Sequence, residues 1–133
     1  MEKFLNHYIM VSAEYSAGGM GNGMDIREEQ LDGAWLVAAS GRIDSNSAGA
    51  LEAILPDRTQ SHAATVMDLS EVAYVSSAGL RVFLKGVKAA KAAGNRLVLT
   101  GLSPAVYDVF DISGFTAIFT IADDVDAGLA AMR

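Results

Sequence analysis

The sequence has no cysteine and only two histidines, two prolines and one tryptophan among its 133 residues. The lack of cysteine excludes disulfide bonds, thiolate catalysis and cysteine-based zinc sites, and it is compatible with a reducing compartment. The two histidines, His7 and His62, lie outside the spacings typical of catalytic triads or metal sites, which favours surface roles for both. The sequence therefore predicts no metal and no other cofactor.

Positive charge and long apolar runs are also scarce. Ten Lys and Arg residues are outnumbered by sixteen Asp and Glu, so the formal net charge of −6 repels nucleic acid overall. No stretch approaches the roughly 20 apolar residues that a membrane helix needs, and the first residues lack the pattern of a secretion signal. We therefore expect a cytoplasmic protein without membrane insertion and without direct nucleic-acid binding.

Residues that can build a core are plentiful. Hydrophobic side chains make up 51% of the chain, which is enough for one domain of common size. Residues 16–23 are rich in glycine and small side chains, a composition typical of a flexible linker. We expect residues 24–133 to form the domain and residues 1–23 to be a leader. Three origins of the leader are open: an expression leader, an over-long start, or a docking tail.

The apolar pattern predicts an α/β fold. A hairpin is expected around Leu31-Asp32-Gly33, followed by alternating helices and strands. In order, these are a helix from Asp44 or Ser45 to Leu55 ended by Pro56, a strand 65–68, a helix from the serine pair 76–77 to Gly94, a strand 96–100, a helix from Pro104 to about Ser113, a strand 117–121, and a helix capped by Asp123 or Asp124. Such alternation calls for a mostly parallel sheet of four to five strands, an N-terminal antiparallel hairpin and about four helices.

The serine pair Ser76-Ser77 marks the expected functional surface. A strand is predicted to end at Asp68 and a helix to begin at the serines, beyond the carboxyl ends of the strands, where such folds place functional contacts. The free N–H groups and the dipole at a helix start would stabilise a phosphate. Two interpretations are open at this point: a serine is only a helix N-cap, or the pair is a site of binding or modification.

The residues around this pair resemble a known family. Asp68-Leu69-Ser70 is followed, nine residues after the aspartate, by Ser77 and then by Gly79-Leu80. Three further segments contribute, namely Gly41-Arg42-Ile43-Asp44, Gly94-Asn95 and Ile112-Ser113-Gly114-Phe115. In this order and at these distances they resemble the STAS domains, the family of the anti-sigma factor antagonists, from about residue 24 to the C-terminus.

The resemblance implies a binding protein and not an enzyme. In such proteins the serine that matches Ser77 is phosphorylated by a partner that is both a serine kinase and an anti-sigma factor. The unmodified antagonist holds this kinase and frees the sigma factor; phosphorylation, which a serine phosphatase would reverse, breaks the complex. The phosphate adds a charge of about −1.5 to −2, which would extend the negative charge of Asp68 and Glu71.

Two positions depart from the family pattern. Relatives carry aspartate just before the phosphorylated serine, where this chain has Ser76, and often Ser or Thr just after it, where this chain has Ala78. Ser76 is therefore the alternative acceptor. The residues expected to contact the partner are Asp44, Ser45, Asn46, Ser76, Ala78, Gly79 and Arg81.

Three cations are predicted on one face of the helix that follows the serines. Arg81, Lys85 and Lys88 are spaced four and three residues apart. This pattern suits an acidic patch on a partner, and it equally suits the solvated side of an amphipathic helix.

Two other functions remain as alternatives. In a STAS subunit of an ABC-type lipid transport complex, the same surface would pack permanently against the transporter ATPase, and phosphorylation would be irrelevant. A small hydrolase or nucleotide-binding enzyme of flavodoxin-like layout is disfavoured, because the glycine-rich phosphate loops and a nucleophile–base pair are absent. The oligomeric state is open, since an exposed edge strand of the hairpin could pair with a second copy.

Overall fold

The fold was analysed in a computed structural model, which describes residues 12–16 and 23–132. Along the chain the elements are β1 (Ser12–Ser16), β2 (Met24–Leu31), β3 (Ala34–Ile43), α1 (Ala48–Glu52), α2 (Leu55–Ser61), β4 (Ala64–Val75), α3 (Ser77–Ala93), β5 (Arg96–Thr100), α4 (Pro104–Ile112), a 3₁₀ turn (Phe115–Ala117), β6 (Thr120–Ala122) and α5 (Val125–Ala131). Strands and helices alternate after the β2–β3 hairpin, which is the α/β arrangement that the sequence predicts.

The sheet has the strand order β1-β2-β3-β4-β5-β6. The pairs β1–β2 and β2–β3 are antiparallel, and the three remaining pairs are parallel. Gly33 takes φ +88° in the turn between β2 and β3, a conformation that favours glycine. The α/β class, the mostly parallel sheet and the N-terminal hairpin are thus confirmed. Strand β1 adds a sixth strand from within the segment expected to be a leader. Most of that segment, with His7, lies outside the described residues, so the boundary at residue 24 stays a prediction.

Helices cover both faces of the sheet, because neighbouring residues of a strand point to opposite sides. On β4, Met67 belongs to the larger apolar cluster, which also contains buried residues of α1 to α4. Val66 belongs to a smaller cluster, against which Val125 and Leu129 of α5 pack. The sheet is therefore the middle of three layers.

An ion pair between a buried carboxylate and a half-buried guanidinium holds α2 against the hairpin. Glu28 on β2 is only 3% exposed and accepts hydrogen bonds from the Trp35 indole at 2.8 Å and from the Arg58 guanidinium at 2.6 Å. The bond to Glu28 raises the pKa of Arg58. His62, half-buried at the end of α2, stacks on the Trp35 ring at 4.7 Å. Its role is thus packing, and not that of a free surface residue.

The structure corrects the predicted helix from Asp44 or Ser45 to Leu55. Two short helices replace it: α1 ends at Glu52, and α2 begins at Leu55 with Pro56 in its first turn. Proline is favoured at that position because the N–H that it lacks has no intrahelical partner there. Pro56 therefore helps to start a helix and does not end one.

Two predicted strand boundaries are also wrong. Strand β4 does not end at Asp68 but continues to Val75, pairing with β3 across two register shifts. The last strand is not 117–121: residues 115–117 form the 3₁₀ turn and β6 covers Thr120–Ala122. The helix stop at Gly94, the Ser103 cap before Pro104 and the Asp124 cap of α5 are confirmed.

Candidate functional site

The end of β3 and the start of α3 lie side by side at the carboxyl edge of the sheet. Ile43, the last residue of β3, pairs in parallel with Val75, the last residue of β4. The amide of Ser76 then donates to the Ile43 carbonyl at 2.9 Å. The loop Asp44–Asn46 therefore adjoins the serine pair.

The structure separates the two serines. Ser76 is the N-cap of α3: its backbone is extended, and its hydroxyl accepts from the Gly79 amide at 3.4 Å. Ser77 is the first residue of the helix and is exposed. Among the described residues its hydroxyl has no hydrogen-bond partner, and the amides of Ser77 and Ala78 have none either. The cap interpretation thus fits Ser76, and Ser77 keeps a free hydroxyl beside free N–H donors.

Gly79 brings α3 close to the sheet. It is buried, and a Cβ added to it would lie 2.8 Å from Ile43 Cγ2 and 3.0 Å from Val75 Cγ1. A helix start can lie against the ends of β3 and β4 only if this position has no side chain. Gly79 therefore packs within the protein, while its neighbour Ala78 is half-exposed.

The Asp44–Asn46 loop is ordered by its own side chains. The Asp44 carboxylate accepts from the Asn46 amide at 3.0 Å, and Ser47 Oγ accepts from the Asp44 amide at 3.0 Å. The Asn46 bond is the main reason that the pKa of Asp44 is lowered. Neither Asp44 nor Ser45 caps a helix, because the N-cap of α1 is Ser47. Ser45 and Asn46 are exposed, so the loop presents polar groups next to Ser77.

Sequence reasoning did not single out Arg42 and Tyr74 as site residues. They face each other in the β3–β4 register, and the Arg42 guanidinium lies 4.4 Å from the centre of the Tyr74 ring. Both are exposed at the end of the sheet, and Arg42 Nε is 3.6 Å from the Asp44 carboxylate. Arg42 and Tyr74 meet only because β3 pairs with β4, and the local sequence around either residue does not indicate this long-range pairing.

The position of Asp68 relative to Ser77 differs from that expected. Strand β4 continues to Val75, and Asp68 pairs with Ala38, five residues before Ile43 on β3. Asp68 therefore lies about 17 Å from the end of the paired strands at ~3.3 Å per residue. Asp68 therefore does not extend a negative surface at Ser77. The nearest acid in the β3–α3 junction is Asp44. The cation Arg81 is exposed one turn into α3, on the side of Ser77.

No group of three or more His, Cys, Asp or Glu side chains in residues 12–16 and 23–132 could hold a metal ion. Within the same residues, no helix has the length and apolar character to span a membrane. Fold and site together define a small α/β domain with an exposed serine at a helix start, next to a polar loop.

Comparison with known proteins places this domain in a family. The family model described as "Mlab, STAS domain" matches residues 26–121, which is more than half of the chain. The chain therefore belongs to the STAS domain family, as the motifs around Ser77 indicate.

Relatives in this family are named for a regulatory role. The chain is 37% identical over 111 residues to BtrV, a proposed anti-sigma factor antagonist of Bordetella bronchiseptica, covering 83% of this chain and 96% of BtrV. It is 31% identical over 106 residues to the anti-sigma-B factor antagonist of Bacillus subtilis, covering 80% of this chain and 95% of that protein. The crystal structure of an anti-sigma factor antagonist from Mycobacterium paratuberculosis superposes with a TM-score of 0.73 at 27% identity, covering 88% of this chain and 97% of that one.

Proposed function

We propose that this protein is an anti-sigma factor antagonist that acts by binding and catalyses no reaction. In its unmodified form it binds an anti-sigma factor that is also a serine kinase, and so releases a sigma factor. The observation that carries the proposal is the free, exposed hydroxyl of Ser77 at the start of α3, in a chain similar to named antagonists along most of its length.

The contact area for the kinase is the Ser77 surface, which we define as Asp44, Ser45, Asn46, Ser76, Ser77 and Ala78. Ser77 is the acceptor in preference to Ser76, because Ser76 is half-buried and its hydroxyl accepts a hydrogen bond from the Gly79 amide. A kinase must bring the acceptor oxygen in line with the γ-phosphate, so an exposed, unbonded hydroxyl is the better substrate.

Phosphorylation of Ser77 changes both charge and shape at the centre of this surface. The phosphate adds about −1.5 to −2 charges, and the free amides of Ser77 and Ala78, with the helix dipole, stabilise it. The phosphorylated side chain is thus held within the Ser77 surface that the partner binds, close to the Asp44 carboxylate. A partner that fitted a neutral hydroxyl then meets an anion, which opens the complex.

The names of the relatives favour this function over that of a lipid-transport subunit. BtrV and the B. subtilis relative are both named as antagonists, and each is covered over nearly its whole length. In a transport subunit, Ser77 would be a permanent packing contact and would not need a free hydroxyl.

The acceptor is tested by incubating the protein with the serine-kinase anti-sigma factor of the same genome and ATP, followed by mass spectrometry. Wild type is expected to gain one phosphate on Ser77, and Ser77→Ala none. Ser76→Ala is the matched control: it loses only the cap, which costs about 1 kcal/mol of stability, and keeps the acceptor. Phosphate that survives Ser77→Ala but disappears in Ser76→Ala would refute the assignment.

A further inference from the structure

Helix α3 carries a concentration of positive charge in an acidic protein. Its 17 residues include four cations and no acid, whereas the whole chain has a net charge of −6. The four, which we call the basic ridge, are exposed: Arg81, Lys85, Lys88 and Lys91. At 3.6 residues per turn they share about a third of the helix circumference with Ser77 and extend over roughly 15 Å.

Helix stability does not account for the basic ridge. Like charges spaced three and four residues apart repel each other. Arg81 lies near the N-terminal end, where the helix dipole disfavours a cation, and only Lys91 is in the last turn, where the dipole favours one. Lys85 is paired with Glu52 at 2.6 Å, but Arg81, Lys88 and Lys91 have no ion-pair partner among the described residues. The ridge is therefore a strip of largely uncompensated positive charge.

We propose that the basic ridge is the docking strip for an acidic face of the protein partner that the Ser77 surface binds. This inference rests on the proposed function. The ridge starts one turn beyond Ser77 on the same face of α3, so a partner seated over Ser77 also lies along it. Since most of the remaining surface charge is negative, an acidic partner is attracted to this strip and repelled elsewhere. The ridge thus raises the association rate and sets the orientation of the partner.

The ridge also couples docking to the state of Ser77. A phosphate on Ser77 lies four residues before Arg81, the spacing at which an anion and a cation on a helix pair. That pair removes Arg81 from the partner at the end of the ridge closest to the site. Only the unmodified protein presents the whole strip.

The experiment is stopped-flow association with the serine-kinase anti-sigma factor at several salt concentrations. Lys88→Gln/Lys91→Gln is expected to associate about tenfold more slowly at low salt and with a weaker salt dependence, while Ser77 is still phosphorylated at saturating kinase. Lys88→Gln is compared with Arg27→Gln, which lowers the net charge equally but lies on β2; only Lys88→Gln is expected to slow association. Lys88→Arg/Lys91→Arg should restore the wild-type rate.

The outcomes separate the two proposals. If wild type binds and is phosphorylated, but Lys88→Gln/Lys91→Gln keeps the wild-type rate and salt dependence, the ridge proposal is overturned and the function stands. If wild type neither binds the kinase nor accepts phosphate, the function is overturned and the ridge with it. A third outcome would also overturn protein docking. If wild type co-sediments with phosphatidylserine vesicles, Lys88→Gln/Lys91→Gln does not, and both associate with the kinase at the same rate, the ridge binds lipid.

Discussion

Gly79 determines how closely the Ser77 surface can lie to the sheet. Its Cα faces Ile43 and Val75, which are the last residues of β3 and β4. The Asp44 loop follows the end of β3, and the serine pair follows the end of β4. The close approach at Gly79 therefore keeps these two parts of the Ser77 surface together. Sequence inspection identified Gly79 through the family motif and expected a partner contact there; the structure shows an internal contact.

Replacing Gly79 with alanine is expected to destabilise the protein and to loosen the start of α3. The new Cβ overlaps atoms of Ile43 and Val75, and overpacking of this kind costs about 1–3 kcal/mol. Gly49→Ala on α1 is the matched control, because its Cβ meets nothing within 4 Å and the substitution gains the same helix propensity. In urea unfolding, the free energy of unfolding of Gly79→Ala should be about 1–3 kcal/mol lower than that of Gly49→Ala. Equal stabilities would contradict the close approach.

At the level of the elements, α2 depends on the pair between Glu28 and Arg58. Glu28 is buried on β2, and Arg58 reaches it from α2 with two nitrogens, at 2.6 and 3.2 Å. Removing the Arg58 guanidinium takes its positive charge and both of these hydrogen bonds away from a buried carboxylate, which is costly. The pair thus specifies where α2 docks, and α2 in turn packs against α3.

Arg58→Met is expected to lower the free energy of unfolding by about 3 kcal/mol, because the Glu28 carboxylate would stay buried without the guanidinium. Glu28→Gln/Arg58→Met removes the charge as well, so it should be less destabilised than the sum of the single variants. The measurement is a double-mutant cycle by urea unfolding. Strictly additive effects would show that the two side chains do not act as a pair.

The elements with a complete local pattern were predictable, and those that depend on long-range pairing were not. The apolar spacing of Leu80, Phe83 and Val87 with the stop at Gly94 defines α3 from sequence alone. The final half of β4 escaped prediction because it is ordered by pairing with β3 across register shifts, which disturb the alternation of buried residues. For the same reason the Arg42–Tyr74 contact was missed. The break between α1 and α2 was missed because Leu51, Ile54 and Leu55 keep helical spacing across it.

On the scale of the whole molecule, charge is distributed unevenly around the Ser77 surface at the carboxyl edge of the sheet. The chain is acidic, yet the face of α3 beside Ser77 is basic, and the nearby loop holds the ionised Asp44. A negative charge added at Ser77 therefore falls between an acid on one side and the ridge on the other. The same edge can attract an acidic partner before modification and fail to hold it afterwards.

The most direct test of the account is the affinity of the serine-kinase anti-sigma factor for the protein before and after phosphorylation, measured by isothermal titration calorimetry. Like charges forced together at an interface cost several kcal/mol. We therefore expect the Ser77-phosphorylated protein to bind at least about 100-fold more weakly, or about 2.7 kcal/mol. Ser77→Ala, which cannot be modified, should keep the unmodified affinity in the presence of ATP. Equal affinity of the phosphorylated and unmodified proteins would contradict the switch at Ser77.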